Sequence, residues 1–352
     1  MPRTYFAAAL LASMTSAEYN YVERVENKIV YRPDVDLDQY RVDPREYPMA
    51  FKWPKGDFRC GASMISPTMA LTAAHCITAD EVGVDPNLEV ELADGQTYGI
   101  KEFRPNDCWN FQGNGGPYSA DIAIMILDRP YEGLGDGSQF IVEPWDAANR
   151  GSVQGRTFEL AGWGASGEIR EDGDESHLVY EVFHRGENVV DEIRGGMLVY
   201  DFDRPDQALA LEALGHFGDS GSGAYINIDG TRYIAGVKSN GQDAFYGSVH
   251  EYTRVGDLNL PWIRANLASP DARVSVESCE AFPGYSGGGG DDDGDYGDYG
   301  DYDWECETEC DCADDDFDCW DACGQCMDGE EGGEGDDNGD YGDYGDDFGP
   351  DC

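Results

Sequence analysis

Residues 60–76 read Cys60-Gly-Ala-Ser-Met-Ile-Ser-Pro-Thr-Met-Ala-Leu-Thr-Ala-Ala-His-Cys76. Within this stretch, apolar runs at residues 61–65 and 70–72 are separated by residues that favour turns. Runs of this length between turn residues are typical of short β-strands. His75 lies three residues after the second run and is a candidate for catalytic chemistry.

The same pattern of short apolar runs continues to about residue 268. Further runs, punctuated by Gly, Pro or Asp, occupy residues 50–53, 122–127, 157–161, 224–228, 233–237 and 251–255. Many short strands with few helix signals favour an all-β sandwich or barrel over alternating β-α-β units. The best helix signal covers residues 258–267, where Leu258, Trp262 and Ile263 recur at helical spacing. A closing helix there places the domain edge near Leu267 or Ala268.

Beyond that edge the composition changes abruptly. The chain of 352 residues has a formal net charge of −49, and residues 284–352 are rich in Asp and Glu and contain no Lys or Arg. Gly-Asp-Tyr units repeat in this tail. Such a segment buries too little apolar surface to offset its chain entropy, so we predict that it is disordered.

The charge of the chain limits its classes of partner. A strongly negative surface repels phosphates and the chain has no basic stripe, so we expect no nucleic-acid partner. Weak binding of calcium or of basic proteins by the tail is an alternative to simple solvation of its charges. The sequence has no complete twelve-residue calcium loop, and we expect no cofactor and no dedicated metal site.

Eleven cysteines indicate an oxidising compartment. Six of the eleven lie at residues 306–326 of the tail, where we predict a small disulfide-stapled module, with a zinc site as the alternative. Cys108 and Cys279 are candidates to join the root of the tail to the body. The odd total leaves at least one cysteine free, paired with another chain or lost by processing.

The first residues have the pattern of an export signal. Arg3 gives a positive start, residues 5–14 are apolar, and small residues at 15–17 precede a cleavage point. The alternative is a buried helix. An apolar run of about ten residues is too short to span a bilayer, and no later segment reaches spanning length. We therefore predict a signal peptide at residues 1–17 and a secreted, extracellular protein without a membrane span.

Three motifs each supply one member of a Ser/His/Asp constellation. They are Thr72-Ala73-Ala74-His75-Cys76, Asp121-Ile122-Ala123-Ile124 and Gly218-Asp219-Ser220-Gly221-Ser222-Gly223. A serine hydroxyl is a weak nucleophile at neutral pH, so it needs a base within hydrogen-bond reach and a third group that holds the base in the right tautomer. The sequence offers Ser220, His75 and Asp121 for these roles.

The local context of the three motifs resembles the trypsin/chymotrypsin-like serine protease family over about residues 29–268. The motifs that carry the resemblance are the histidine segment at residues 60–76, the aspartate strand at 121–127, Ala161-Gly162-Trp163-Gly164 and the nucleophile turn at 218–221. The family usually has Gly-Pro after that turn, whereas this chain has Ser222-Gly223. This departure leaves the nucleophile in place and concerns the packing next to it.

The resemblance implies a fold of two six-stranded antiparallel β-barrels with a C-terminal helix, here in a domain at residues 29–283. It implies a disulfide between Cys60 and Cys76 and an oxyanion hole made by the N–H groups of Gly218 and Ser220. The expected function is that of a secreted serine endopeptidase with protein or peptide substrates. A catalytically idle homologue that binds partners or matrix through its acidic tail is the alternative.

The resemblance also implies activation by cleavage. In the family, the residue at the position of Asp219 pairs with a new amino terminus, and a carboxylate buried without a partner is costly. Lys28-Ile29-Val30 fits the family's cleavage pattern of a basic residue followed by Ile-Val, although Tyr31-Arg32 replaces the usual glycines. The predicted propeptide is residues 18–28 and the new terminus is Ile29. Cleavage between Arg41 and Val42 is the competing alternative.

The residues that would line the substrate pocket do not define a single preference. Family members that cleave after Lys or Arg carry an aspartate six residues before the nucleophile, where this chain has Leu214, and His216 replaces a usual cysteine. Ser239-Asn240-Gly241 resembles the strand that lines the pocket, and His250 falls near its opposite wall. An apolar floor favours apolar substrate residues, whereas Lys238 and His250 would attract an acidic one. A third alternative places both Lys238 and His250 outside the pocket.

Overall fold

The computed structural model describes residues 30–55, 58–111, 117–164, 167–168, 182–241 and 245–283. The predicted signal peptide, the propeptide, Ile29 and the acidic tail with its cysteine cluster lie outside these residues. Contacts divide the chain into Met1–Gly288 and Gly289–Cys352. All of the described residues belong to the first of these units.

Short strands dominate this unit, as the apolar runs predict. The strands are β1 Val30–Tyr31, β2 Ala50–Lys55, β3 Phe58–Ser66, β4 Met69–Thr72, β5 Leu88–Glu91, β6 Thr97–Pro105, β7 Ala123–Leu127, β8 Glu143–Pro144, β9 Thr157–Gly162, β10 Gly167–Glu168, β11 His184–Val189, β12 Glu192–Arg194, β13 Met197–Asp201, β14 Ala213–Leu214, β15 Gly223–Ile228, β16 Thr231–Asn240 and β17 Val249–Arg254. The α-helices are α1 Ala147–Arg150 and α2 Leu260–Ala268. Single 3-10 turns lie at Leu37–Gln39, Pro44–Glu46, Ala74–Cys76, Ala79–Glu81 and Tyr118–Ala120.

The first sheet contains six antiparallel strands in the order β2-β3-β4-β7-β6-β5. Strand β7 lies inside the sheet, and all five of its residues are buried. A continuous apolar strand of this kind is expected where both faces are covered. The core beside it contains Phe51, Trp53 and Phe103, with the rings of Trp53 and Phe103 5.0 Å apart. This core fixes the ends of β4 and β7, from which His75 and Asp121 depart.

The second sheet follows the antiparallel order β11-β9-β15-β16-β17-β13-β12, and the short strand β8 pairs in parallel with β16. A separate small sheet has the order β10-β1-β14, with β1 parallel to β10 and antiparallel to β14. The predicted fold class is confirmed as mostly β with two curled sheets. The second sheet differs in detail from six antiparallel strands, because it also contains the short strand β12 at one edge and the parallel strand β8 beside β16.

The closing helix α2 confirms the helix predicted near residues 258–267. Pro261 lies in its first turn, where the missing N–H has no intrahelical role. Of the three residues used for that prediction, Trp262 and Ile263 are buried in α2. Leu258 precedes the first residue of the helix and is only partly buried. Just before the helix, Asn259 donates to the carbonyl of Ser119 at 3.0 Å and accepts from Asn106 Nδ2 at 2.8 Å. The end of the second sheet is thereby bonded to the turn that precedes Asp121.

Two disulfides join described residues. Cys60 is bonded to Cys76, and Cys108 is bonded to Cys279. The first closes a loop of 16 residues and the second a loop of 171. In the chain-entropy model, loops of these sizes stabilise the folded state by about 3 and about 5 kcal/mol. The second bond also anchors the segment that leads toward the acidic tail.

Among the described residues, no helix has both the length and the apolar character needed to cross a membrane.

Candidate active site

His75 and Asp121 are joined by two hydrogen bonds. The His75 ring nitrogen Nδ1 lies 2.6 Å from Asp121 Oδ2, and the His75 backbone N–H donates to Asp121 Oδ1 at 2.8 Å. His75 lies in the 3-10 turn after β4, while Asp121 follows the turn Tyr118–Ala120 before β7. Because β4 and β7 are hydrogen-bonded neighbours, the sheet brings these two turns together.

The Asp121 carboxylate is fully buried but has several donors. Besides its two bonds from His75, Oδ2 accepts from the Ser239 hydroxyl at 2.6 Å. Burial opposes ionisation of Asp121, but the charge of His75 and these hydrogen bonds outweigh it and lower the pKa of Asp121. The carboxylate is therefore ionised at neutral pH, which requires the imidazole proton to lie on Nδ1.

The His75 imidazole is partly exposed, with 34% of its side-chain surface open to solvent. Burial lowers the pKa of His75, but the charge and hydrogen bond of Asp121 more than offset this, so the pKa is raised above its ordinary value. The positive charge of Lys238 acts in the opposite direction. With Nδ1–H bound to Asp121, the other ring nitrogen, Nε2, is the atom available as a base.

The loop that carries Ser220 is fastened to the histidine segment. The Gly61 N–H donates to the Ser220 carbonyl at 2.7 Å, and Gly61 is adjacent to Cys60, which is bonded to Cys76 next to His75. Gly221 has φ +84°, and a Cβ there would lie 2.3 Å from the Gly61 oxygen. Only glycine permits this approach of two backbones, which brings the Ser220 and His75 segments together.

Ser222, where this chain departs from the family pattern, is accommodated by two glycines. Ser222 is buried, and a Cβ at Gly61 would lie 2.1 Å from its Oγ. A Cβ at Gly162 would lie 3.3 Å from the same atom. The hydroxymethyl group therefore occupies space that neighbouring side chains leave open, and the turn keeps its bonds to β16.

Asp219 is buried in the loop that carries Ser220. Its Oδ1 accepts from the Gly164 N–H at 2.8 Å and its Oδ2 from the His216 N–H at 3.0 Å. Burial raises the pKa of Asp219 to about 6, against the effect of these two donors. A Cβ on Gly162 or Gly164 would lie 2.0 or 2.4 Å from Asp219 atoms. The Gly-Trp-Gly motif thus leaves room for this carboxylate.

The N–H groups of Gly218 and Ser220 belong to the same turn. Gly218 has φ +93°, a conformation that favours glycine. Within the described residues, neither N–H donates to a backbone carbonyl, whereas the neighbouring N–H groups of Asp219 and Gly221 do. Two adjacent donors of this kind suit a ligand oxygen.

The predicted pocket residues lie on strands β14, β16 and β17 and in the loops next to β14 and β16. Leu214 is fully buried in the core of the second sheet and pairs with Val30 of β1. His216 is buried in the loop that carries Ser220. Ser239 and Asn240, at the end of β16, and Gly241 are half-buried. His250 on β17 is fully buried, and a Cβ on Gly241 would lie 2.5 Å from its ring.

Lys238 is buried beside these residues. Its Nζ donates to the Asn240 carbonyl and lies 3.3 Å from His250 Nδ1. The charge of Lys238 was visible in the sequence, but its contact with His250 depends on the register of β16 against β17. The bond from Ser239 to Asp121 was not predicted from the sequence, which suggested only a pocket role for Ser239.

Comparison with known proteins gives one family. The family model for trypsin matches residues 37–263. Trypsin zeta of Drosophila erecta is 27% identical over 142 residues, which cover 39% of this chain and 47% of that protein. Fibrinolytic enzyme, isozyme C, of Lumbricus rubellus is 32% identical over 114 residues, covering 30% and 43% of the two chains. Glucanase inhibitor protein 4 of Phytophthora infestans is 33% identical over 114 residues, covering 31% and 40%.

The chain spans less than half the length of each of these curated relatives. The family model, in contrast, matches more than half of the chain, and its range contains the segments of His75, Asp121 and Ser220. The mostly β architecture with two curled sheets agrees with this match. The chain therefore belongs to the trypsin family of serine proteases.

Proposed function

We propose that this protein is a secreted serine endopeptidase that is made as a zymogen. The observation that carries the proposal is the buried Asp121 bonded to a partly exposed His75, with the Ser220 loop held against the same segment. A purely structural histidine has no need of an open second nitrogen. The trypsin-like domain implies protein or peptide substrates.

In the proposed mechanism Ser220 Oγ attacks the peptide carbonyl carbon, and His75 Nε2 takes the hydroxyl proton. The C–N bond of the resulting tetrahedral intermediate then breaks as His75 returns the proton to the leaving amine. Water repeats the sequence on the acyl-enzyme and releases the second product. Asp121 holds the imidazole in the required tautomer and stabilises the imidazolium.

The Gly218 and Ser220 N–H groups form the proposed oxyanion hole. Negative charge develops on the carbonyl oxygen in the transition state, and fixed donors aimed at it need no reorganisation. Each such donor contributes about 3 kcal/mol of transition-state stabilisation.

Activation by cleavage after Lys28 is supported by the position of β1. Val30 is fully buried and pairs with Leu214, five residues before Asp219. Cleavage after Lys28 would make Ile29 the new amino terminus, directly before the buried Val30 of the small sheet β10-β1-β14. Its ammonium group is the partner that we assign to Asp219, whose pKa is raised to about 6 by burial in the uncleaved chain.

The competing cleavage after Arg41 has a structural disadvantage. It would separate Val30, Tyr31 and Tyr40 from the rest of the chain, although all three are buried in the core of the second sheet. The Tyr40 carbonyl also accepts from the Arg185 N–H at 2.9 Å. We therefore retain Ile29 as the proposed terminus, with residues 18–28 as the propeptide and residues 1–17 as the signal that directs secretion.

A catalytically idle homologue is the second candidate function. It is favoured by the similarity to glucanase inhibitor protein 4, a relative named as an inhibitor. In that case the acidic tail would be the binding element, with calcium or basic proteins as its ligands. The bond between Asp121 and a partly exposed His75 favours the enzyme, because an idle homologue does not need an oriented, accessible imidazole.

Labelling with a fluorophosphonate tests the two candidates. The full-length precursor is treated with a protease that cleaves after both Lys and Arg, the new amino terminus is sequenced, and the product is labelled. We expect labelling of the wild type and none of Ser220→Ala. Lys28→Gln should block activation, whereas the matched variant Arg41→Gln should not. Failure of a correctly cleaved wild type to label would support the idle homologue.

A further inference from the structure

The backbone of Lys238 is hydrogen-bonded to the two residues that follow Ser220. Its carbonyl accepts from the Gly221 N–H at 2.9 Å, and its N–H donates to the Ser222 carbonyl at 2.8 Å. The next residue, Ser239, bonds to Asp121. Strand β16 therefore runs directly beside the catalytic groups, and the position of Lys238 is fixed relative to Ser220.

The Lys238 side chain lies between the nucleophile loop and β17. Its aliphatic stem packs on Gly215, where an added Cβ would lie 3.2 Å from Lys238 Cε. Its Nζ bonds to the carbonyl of Asn240, a half-buried residue, and lies 3.3 Å from His250 Nδ1. The amine is thus buried but adjacent to the open end of β16.

The positive charge of the Lys238 amine has no carboxylate in contact with it among the described residues. Lys238 is only 3% exposed, and the described residues place no carboxylate within ion-pair distance of it. Asp219 and Glu251 act on Lys238 only as longer-range charges. A buried cation without a contacting anion is costly, and an anion that enters beside it recovers much of that cost.

The neighbouring His250 adds a second polar group. If Lys238 is the donor in their contact, the imidazole is neutral and carries its proton on Nε2. Gly241 allows the His250 ring to approach the backbone at the end of the pocket strand, because any side chain there would overlap the ring. An amine and an imidazole on one wall of the proposed substrate pocket suit a substrate carboxylate better than an apolar or basic substrate side chain.

We propose that Lys238, supported by His250, selects an acidic side chain, Asp or Glu, at the substrate residue that precedes the scissile bond. This proposal rests on the proposed endopeptidase function. The substrate carboxylate takes the place of the missing anion near Lys238, while the peptide carbonyl meets Ser220. A competing role, in which Lys238 serves only as a counter-charge for Asp219, predicts no acidic preference.

Matched peptide p-nitroanilides that differ only in the residue before the nitroanilide test this proposal on the activated, full-length enzyme. For the wild type we expect kcat/KM for Glu or Asp to exceed that for the isosteric Gln or Asn by at least about tenfold, because truncation of one partner in a buried charge pair costs one to several tenfold steps. Lys238→Met should reduce the Glu-to-Gln ratio to about one, a loss of at least about tenfold. Lys238→Arg should retain a ratio above one.

Lys101→Met is the matched control, since Lys101 is an exposed residue of the first sheet, and its ratio should equal that of the wild type. A wild type that labels with fluorophosphonate but cleaves Glu and Gln substrates equally overturns this proposal alone. A wild type that does not label overturns the endopeptidase function as well. The wild-type Glu-to-Gln ratio alone can overturn the proposal. The test therefore remains decisive even if Lys238→Met does not fold.

Discussion

The Ser239 hydroxyl donates to Asp121 Oδ2 at 2.6 Å, so a residue of the second sheet holds the carboxylate that orients a histidine of the first. The same oxygen also bonds to His75 Nδ1. Ser239 is one residue from Lys238, whose backbone bonds to the nucleophile turn. One short segment of β16 therefore links Asp121 and the Ser220 loop to the residues proposed for the substrate pocket.

Replacement of Ser239 by Ala should reduce kcat/KM by roughly 10- to 100-fold, because Asp121 loses a bond worth about 1.5–3 kcal/mol that positions its carboxylate against His75. This loss of position outweighs the electrostatic change that follows. With one donor lost, the negative charge on Asp121 is less dispersed and stabilises the His75 imidazolium more strongly. The acidic limb of the pH–rate profile should therefore move to higher pH. Ser239→Thr keeps the hydroxyl and should retain the wild-type profile; an unshifted profile in Ser239→Ala would argue that Ser239 acts only on substrate.

Asp121→Asn should reduce kcat by about 10⁴-fold, the loss known for this substitution in a Ser-His-Asp triad. In the wild type the carboxylate raises the pKa of His75, so activity falls as the pH drops through that raised value. Without the charge, the His75 pKa should fall, which NMR titration of the imidazole would detect. A His75 pKa that does not change in Asp121→Asn would contradict the assigned pairing.

Asp219 should make the stability of the uncleaved chain depend on pH. Burial raises its pKa to about 6 in the folded state, above an unfolded value of about 4. The folded state therefore holds the proton more tightly, and the stability from this group decreases as the pH rises through that window. The decrease amounts to roughly 3 kcal/mol at pH 7.

Asp219→Asn removes this dependence. Urea unfolding of the uncleaved precursor, in a Ser220→Ala background, should show equal stabilities near pH 4 and a more stable Asn variant at pH 7. After cleavage the order should reverse, because the Ile29 ammonium then stabilises the Asp219 carboxylate. A pH-independent difference between the two uncleaved proteins would exclude a raised Asp219 pKa.

Local sequence was sufficient to predict the elements that present the catalytic groups. The apolar runs at residues 61–65, 70–72 and 122–127 coincide with β3, β4 and β7, and the helical spacing of Trp262 and Ile263 corresponds to the buried face of α2. These patterns report burial within one element, which is a local property. The roles of His75, Asp121 and Ser220 came from motifs and a family resemblance, and they stay proposals until labelling is done.

Contacts between distant segments could not be predicted in the same way. The short strand β1 is recognisable only through its partners, since Val30 pairs with Gly167 and Leu214 in two different segments. The contact of Lys238 with His250 depends on a register shift between Lys238 and Asn240 in the pairing of β16 with β17. A shift of this kind changes which side chains face one another, and it leaves no pattern in either strand alone.

Lys238 should make stability depend on pH in the opposite sense to Asp219. Burial lowers the pKa of its amine to about 7, against the charges of Asp219 and Glu251, while His250 and the ring of Tyr252 also face it. An unfolded lysine keeps its proton to about pH 10. Below pH 7 the folded protein must bury a cation, and this penalty is relieved as the pH rises from about 7 to about 10, so stability from this group increases over that window.

Lys238→Met should therefore be more stable than the wild type at pH 6, by roughly 3–5 kcal/mol, and the difference should shrink toward pH 10. Urea unfolding of both proteins in the Ser220→Ala background measures this directly, with Lys101→Met as a control that follows the wild type. A peptide product ending in Glu should stabilise the wild type more than Lys238→Met at pH 6, because its side-chain carboxylate pairs only with the lysine. A stability difference that stays constant from pH 6 to pH 10 would show that the Lys238 amine is not a buried cation at neutral pH.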